Sequence, residues 1–274
     1  MDFTGERFIP GAGLDGELEI EHYQRYQAVR DLITNKVVLD AASGEGYGSE
    51  LLARKAKQVY GLEIDPEAVR QAQGKYQHPN LTFTQGTIAA LPFLPATFDA
   101  AISFETIEHV TGDLQESFIK EIKRVLKPDG FFLISTPDKR IYSDLAHYHN
   151  EFHTKEFYRQ EFHDFLSQHF TTVKFWEQSA LLAYVLTDGQ EDSSLKLMQN
   201  GTVEGKYIIA LCSDTTLPEP ELGSITLDTE DRYRRTLERV IELQDEIEEK
   251  NKHIQIVLND IDICEKTIKK QEQT

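Results

Sequence analysis

Val37-Val38-Leu39-Asp40-Ala41-Ala42-Ser43-Gly44-Glu45-Gly46-Tyr47-Gly48 reads as an apolar strand that ends in an Asp and breaks into a turn of small residues before a helix. In a strand-turn-helix unit the glycines let backbone approach a ligand closely, and the free N–H groups at the helix start favour an anionic group. Working outward, strand and helix signals alternate. Strands are predicted at Val37–Ala41, Gln58–Glu63, Leu81–Gln85, Ala100–Phe104 and Phe131–Thr136, with helices at Glu19–Ile33, Tyr47–Lys55, Pro66–Tyr76 and Leu114–Leu126. Asp65 before Pro66 is a helix N-cap followed by Pro at the first helical position, and Pro128-Asp129-Gly130 is turn chemistry. This rhythm predicts an α/β, Rossmann-like fold: a mostly parallel sheet with helices on both faces and ligands at the carboxyl ends of its strands.

Two cofactor readings compete for the glycine turn. A dinucleotide site has G-x-G-x-x-G and an acidic residue about 20 positions later. The chain offers Gly44-x-Gly46-x-Gly48 and then Val59-Tyr60-Gly61-Leu62-Glu63-Ile64-Asp65, and Glu63 would hold a ribose diol in either reading. Asp40 favours the second, because a carboxylate at the strand end suits a cofactor carrying an ammonium and a sulfonium better than a pyrophosphate. The pattern V-L-D-x-x-x-G-x-G followed by G-x-E-I-D resembles the class I S-adenosylmethionine-dependent methyltransferases.

That resemblance covers residues 1 to 213 and implies roles position by position. Asp40, Ala42, Ser43, Gly44 and Gly46 match the cofactor motif, with Ala42 in place of the usual first glycine and tolerable there if its φ stays negative. Glu63 matches the ribose acid and Ile64 the apolar residue on the adenine face. Thr87 stands where the family commonly has an adenine-binding Asp, which shifts weight to the backbone of Ile88. Ser103-Phe104-Glu105-Thr106-Ile107-Glu108-His109-Val110 resembles S-F-E-x-x-E-H-V and implies Phe104 and Glu105 beside the methyl donor, with Glu108 and His109 one turn later in substrate handling or in helix capping. Tyr148-His149-Asn150-Glu151-Phe152-His153-Thr154-Lys155-Glu156-Phe157 resembles N-x-F-H-x-x-E-F. With His147 an extended chain there would align His147, His149, Glu151 and His153 on one face, but no metal is expected and the resemblance explains the segment without one. His153, and secondarily His109, are the candidate general bases for a hydroxyl acceptor.

The lead Thr4-Gly5-Glu6-Arg7-Phe8-Ile9-Pro10 and Glu21-His22-Tyr23-Gln24-Arg25-Tyr26 narrow the likeness to bacterial methyltransferases of cell-surface polysaccharide and O-antigen synthesis, some of which cap a glycan and carry an oligomerising coiled coil. This implies Arg7, Tyr23, Arg25 and Tyr148 at a glycan acceptor, with a glycosyltransferase as a further partner. The alternatives are an enzyme of a small diffusible metabolite and a catalytically silent scaffold. The expected organisation is a lead and helix over 1–35, a cofactor-binding domain over 36–214, a linker over 215–230 and a coiled-coil helix over 231–274. Within the domain, a helix at Thr154–His169 and strands at Thr171–Trp176 and Lys206–Cys212 close the sheet as a reversed edge hairpin, and the polar stretch 188–204 is expected to be mobile.

From Tyr233 an a/d pattern runs through Val240, Ile247, Ile254, Ile261 and Ile268 at a and Thr236, Leu243, Lys250, Val257 and Cys264 at d. It predicts a parallel homo-oligomer, leaning to three strands over two, with the helix still running at Lys269-Lys270-Gln271. The formal charge of −18 over 274 residues disfavours a nucleic-acid substrate. Two cysteines, Cys212 and Cys264, give no disulfide framework. No apolar run reaches the roughly 20 residues needed to span a bilayer. A cytoplasmic protein is expected, reaching a membrane only through a partner.

Overall fold

The computed structural model describes residues 16–180, 204–215, 246–247, 249–258 and 261. The chain forms two compact units, one containing the sheet and the other the helical residues near the C-terminus. In order, the chain has α1 (Gly16–Val29), β1 (Val37–Ala41), α2 (Tyr47–Ala53), β2 (Gln58–Glu63), α3 (Pro66–Lys75), β3 (Leu81–Gln85), β4 (Phe98–Phe104), α4 (Gly112–Val125), β5 (Leu126–Pro137), α5 (Arg159–Ser167), β6 (Thr172–Gln178) and β7 (Tyr207–Ser213). Its seven strands lie in the order β3-β2-β1-β4-β5-β7-β6, parallel except for β7, which runs antiparallel to both β5 and β6. The strand order reverses between β1 and β4, the switch point at which open α/β sheets bind ligands.

Alternation along the strands divides the core in two. Leu39, Phe98, Phe118, Ile122, Phe132, Phe162 and Ile208 form one layer under α4 and α5, while Val38, Leu52, Val59, Ile102, Leu133 and Leu211 face Tyr26, Val29 and Ile33 of the α1 segment. Asp65 caps α3 as its sequence predicts, accepting from the Glu67 N–H at 2.8 Å.

Three expectations change. The first helix starts earlier and ends at Val29, with turns through Ile33 and Asn35 at φ 60°. The predicted turn at Pro128–Gly130 lies inside β5, where the register with β4 jumps between the pairs Phe98–Leu126 and Ala100–Phe131, so the extra residues form an irregularity in a continuing strand. The predicted helix at Thr154 begins only at Arg159, because the N–H groups of Thr154 and Lys155 both donate to the Glu108 carbonyl, at 2.8 and 3.1 Å, which docks this stretch on the β4 turn. The last two strands close the edge of the sheet as a reversed antiparallel pair, as the sequence predicts, with β7 inserted between β5 and β6.

The stretch 188–204 falls almost wholly outside the described residues, as do most of the C-terminal heptads. Residues 249–258 are helical. No described helix is long and apolar enough to cross a membrane.

Gly48 serves packing. A Cβ there would lie 2.1 Å from Cζ of Tyr26, whose ring meets Tyr47 and Phe104 edge-on. Gly48→Ala should therefore lower stability by about 1–3 kcal/mol, read as a lower denaturant midpoint at unchanged m-value. An unchanged midpoint would show that α1 does not bear on α2.

Candidate active site

The turn after β1 crosses the switch point through three residues with positive φ: Ala42 at 63°, Gly44 at 52° and Gly46 at 81°. Ala42 thus departs from its expected negative φ. It holds a conformation that costs a residue with a Cβ of order 1–3 kcal/mol, and the surrounding bonds impose it. The Ser43 N–H donates to the Leu62 carbonyl at 2.8 Å and the Gly46 N–H to the Ser43 carbonyl at 3.0 Å. At Gly46 a Cβ would also fall 2.7 Å from Phe83. The turn therefore presses against β2 and α3 and presents backbone to the open side.

Glu63, at the end of β2, accepts from the Gly44 N–H at 3.0 Å and from the Asp65 N–H at 3.1 Å. Both bonds orient its carboxylate toward the turn, as a diol-binding acid requires. Ile64 beside it is 65% exposed, an apolar plate of the kind an adenine covers. Thr87 is exposed, and its hydroxyl accepts from the Ala89 N–H at 3.3 Å, so it is engaged locally. Ile88 packs on the core.

Asp40 is fully buried. Its oxygens accept from the Tyr26 hydroxyl at 3.2 Å and the Ser49 hydroxyl at 2.6 Å, and burial pushes its carboxyl up to about 6. What it offers a cationic ligand is charge, its oxygens being occupied by those partners.

The other wall is made by β4 and the turn after it. Phe104 is buried against Tyr26. Glu105 has φ 53° and accepts from the Ser135 hydroxyl at 2.6 Å. Arg25 is buried: its Nη1 donates to Gln178 at 2.7 Å and lies 3.8 Å from Glu105, while its guanidinium covers the Tyr207 ring at 4.6 Å. It stands within the wall, where the sequence suggested a cation displayed over the acceptor. Tyr23 packs near Tyr47 on the α1–α2 side, Tyr148 is half exposed against Tyr142, and Arg7 lies outside the described residues.

Glu108, His109 and His153 come together. Glu108 is fully buried, with one oxygen accepting from the Thr136 hydroxyl at 3.1 Å and the other, Oε1, without a partner among the described residues. Burial, with Glu105 nearby, raises its pKa well above the usual carboxylate range. His109 donates through Nδ1 to the Phe152 carbonyl at 3.2 Å, and burial lowers its pKa to about 4, so it is neutral at physiological pH. Its Nε2 lies 4.0 Å from Glu108 Oε1. The His153 ring meets that of His109 edge-on at 4.9 Å. Its Nδ1 pairs with Glu156 at 2.6 Å, and its Nε2 accepts from Asn150 at 3.1 Å. Glu156 in turn accepts from Ser143 at 2.6 Å.

The extended face of His147, His149, Glu151 and His153 is not formed. The chain turns there with His147 at φ 50° and leaves His147, His149 and Glu151 exposed. Sequence reading gave no role to Ser135, Thr136, Asn150 or Glu156. Only Asn150-x-x-His153-x-x-Glu156, spaced by threes, hinted at a linked group.

Residues 39–134 match the family described as "Methyltransferase domain". Over those residues the chain is similar to methyltransferases. A probable S-adenosylmethionine-dependent methyltransferase of Mycolicibacterium smegmatis is 36% identical over 157 residues, 57% of this chain and 60% of that protein. The ubiquinone biosynthesis O-methyltransferase of Vibrio cholerae is 33% identical over 40% of this chain and 45% of its own length. The chain thus spans less than two thirds of the length of both relatives. A crystal structure from Thermotoga maritima, described as an S-adenosylmethionine-dependent methyltransferase and possible histamine N-methyltransferase, shares the fold at TM-score 0.53 and 20% identity, covering 72% of this chain and 93% of that one. The cradle fits S-adenosylmethionine: an oriented acid for the ribose, an apolar plate for the adenine and a buried negative charge behind the turn.

Asp40 sets a pH signature. The folded chain holds its proton up to about pH 6, whereas an unfolded chain loses it near 3.9. The folded state therefore binds more protons in that window and stability falls as pH rises through it. Asp40→Asn should raise stability by roughly 1–3 kcal/mol above pH 6 and flatten that slope, while weakening cofactor binding roughly tenfold or more. Denaturant midpoints across pH 4–8, with calorimetric titration of cofactor, check both.

Proposed function

We propose that this chain is an S-adenosylmethionine-dependent O-methyltransferase whose acceptor is a hydroxyl of a glycan, with the non-reducing end of a bacterial surface polysaccharide as the leading class. The observation that carries the O-methyl reading is the His109–His153–Glu108 group on the turn after β4, next to Phe104 and Glu105. Transfer from a sulfonium needs the acceptor oxygen placed in line and its proton removed, and imidazoles beside the β4 turn are groups of the kind that promote that removal. The glycan reading is supported by the likeness of the N-terminal lead and the Glu21–Tyr26 segment to polysaccharide-associated methyltransferases. A small-molecule acceptor is the second reading, favoured by the relative named for ubiquinone biosynthesis.

The C-terminal heptads would hold the enzyme in a parallel homo-oligomer beside a glycosyltransferase in the cytoplasm. In its support Ile247, Ile254 and Ile261 at a, with Val257 at d, are 58%, 51%, 49% and 43% exposed, an apolar row that pairing would cover. Trimer and dimer are separable by light scattering, and a chain ending at Asp214 should run as a monomer. If it stays oligomeric, the heptads are not the cause.

Calorimetric titration should show one-to-one binding of S-adenosylmethionine and none of NADH. Absence of the first would favour the silent-scaffold alternative. With the cofactor bound, glycans ending in free hydroxyls, and phenols as the rival acceptors, identify the substrate by radiolabelled methyl transfer. His153→Ala should lower kcat by about 100-fold or more at unchanged cofactor affinity. A small loss would point to an acceptor, such as a phosphate, that needs no deprotonation.

A further inference from the structure

We propose that Glu108, His109 and His153 form a binding site for a divalent transition-metal ion, which activates the acceptor hydroxyl. One ligand atom from each of the three lies within 4.8 Å of the others. Metal–ligand bonds of about 2.0–2.3 Å require only a modest contraction of such a set. It is the one such group of three among the described residues.

Three independent features point to a cation. The first is the unpartnered Glu108 Oε1, in a side chain with no exposed surface whose other oxygen is held by Thr136. The second is the way both imidazoles are tethered through Nδ1, His109 to the Phe152 carbonyl and His153 to the Glu156 carboxylate, itself held by Ser143. Metal-binding histidines are fixed this way, with the remaining Nε2 lone pair left for the ion. On His153 that lone pair accepts from Asn150, a neutral amide donor that a cation would displace. The third is preorganisation: the Thr154 and Lys155 N–H groups on the Glu108 carbonyl, and the Thr154 hydroxyl on the His109 carbonyl at 3.0 Å, bind the His153 segment to the Glu108–His109 turn.

Two imidazoles and one carboxylate suit Mn²⁺, Fe²⁺, Co²⁺ or Zn²⁺ better than Ca²⁺ or Mg²⁺, which demand more oxygen ligands. Three protein ligands leave positions for substrate. The catalytic part rests on the O-methyltransferase reading. The acceptor hydroxyl coordinates the ion, which lowers its pKa, and its proton passes to solvent. The oxygen then forms the O–C bond, and the C–S bond breaks with its electron pair going to sulfur. Here His153 acts through the ion, so the loss of turnover expected on its substitution is the loss of a metal ligand.

The test uses the full chain stripped of metal with EDTA and titrated with MnCl₂, following loss of the free Mn²⁺ paramagnetic resonance signal. One site per chain is expected, with spin-echo modulation from imidazole nitrogen. Glu108→Gln, His109→Asn and His153→Asn should each weaken it by about tenfold or more, while unchanged S-adenosylmethionine binding shows that the variants fold. Stripped enzyme should lose methyl transfer and recover it with Mn²⁺ or Co²⁺. The proposal is overturned if Mn²⁺, Co²⁺ and Zn²⁺ find no stoichiometric site, if the three variants bind Mn²⁺ as the parent does, or if stripped enzyme turns over at full rate while His153→Asn is inactive, which would make His153 a free base. Failure of the methyltransferase reading shows separately, as absent S-adenosylmethionine binding, and leaves the Mn²⁺ titration decisive for the site.

Discussion

The hydrogen bond from the Gly44 N–H to Glu63 joins the ends of β1 and β2 across a turn of left-handed residues, and the cofactor side of the molecule depends on it. A parallel sheet leaves strand ends as loose loops unless something fixes them. Here one backbone donor fixes both the turn and the acid. The strain at Ala42 is sustained because Ser43 and Gly46 are bonded on either side and Phe83 leaves Gly46 no alternative. Asp40 lies behind this turn as a buried charge, a cost that a cationic ligand offsets.

The side formed by β4, β5 and the turn after β4 follows a different logic. Ser135 and Thr136, adjacent at the end of β5, hold Glu105 and Glu108, three residues apart on the turn after β4. Parallel pairing of β4 with β5, with Phe104 opposite Ser135, brings hydroxyls beneath carboxylates. The segment around His153 then lies across that turn through backbone bonds to the Glu108 carbonyl. Two histidines 44 positions apart in the chain meet at 4.9 Å as a consequence.

The wall between the two sides is closed by α1. Glu21 accepts from Lys206 at 3.1 Å and Tyr207 at 2.9 Å, and Arg25 spans Gln178 and the Tyr207 ring. Buried ionic groups of this kind specify geometry more than they add stability. Here they fix the far end of the sheet to the helix that carries Tyr26 toward Asp40.

The sequence by itself determined the alternation of strands and helices, the turn at residues 42–46, the N-cap at Asp65 and the acid at the end of β2, because each is a local signal: a hydrophobic period, a glycine where φ turns positive, a carboxylate at a strand end. It misjudged Ala42 because backbone strain is imposed by neighbours distant in sequence. It placed the Pro128–Gly130 turn and the Thr154 helix start wrongly because local turn and helix preferences yielded to pairing with β4 and to the Glu108 carbonyl. It missed Ser135, Thr136 and Glu156 because a hydroxyl or an acid has no visible function until a partner is brought to it. Only the tertiary structure decided that Glu108, His109 and His153 form one group, since their proximity comes from strand register and loop docking, and neither leaves a periodic trace in the chain.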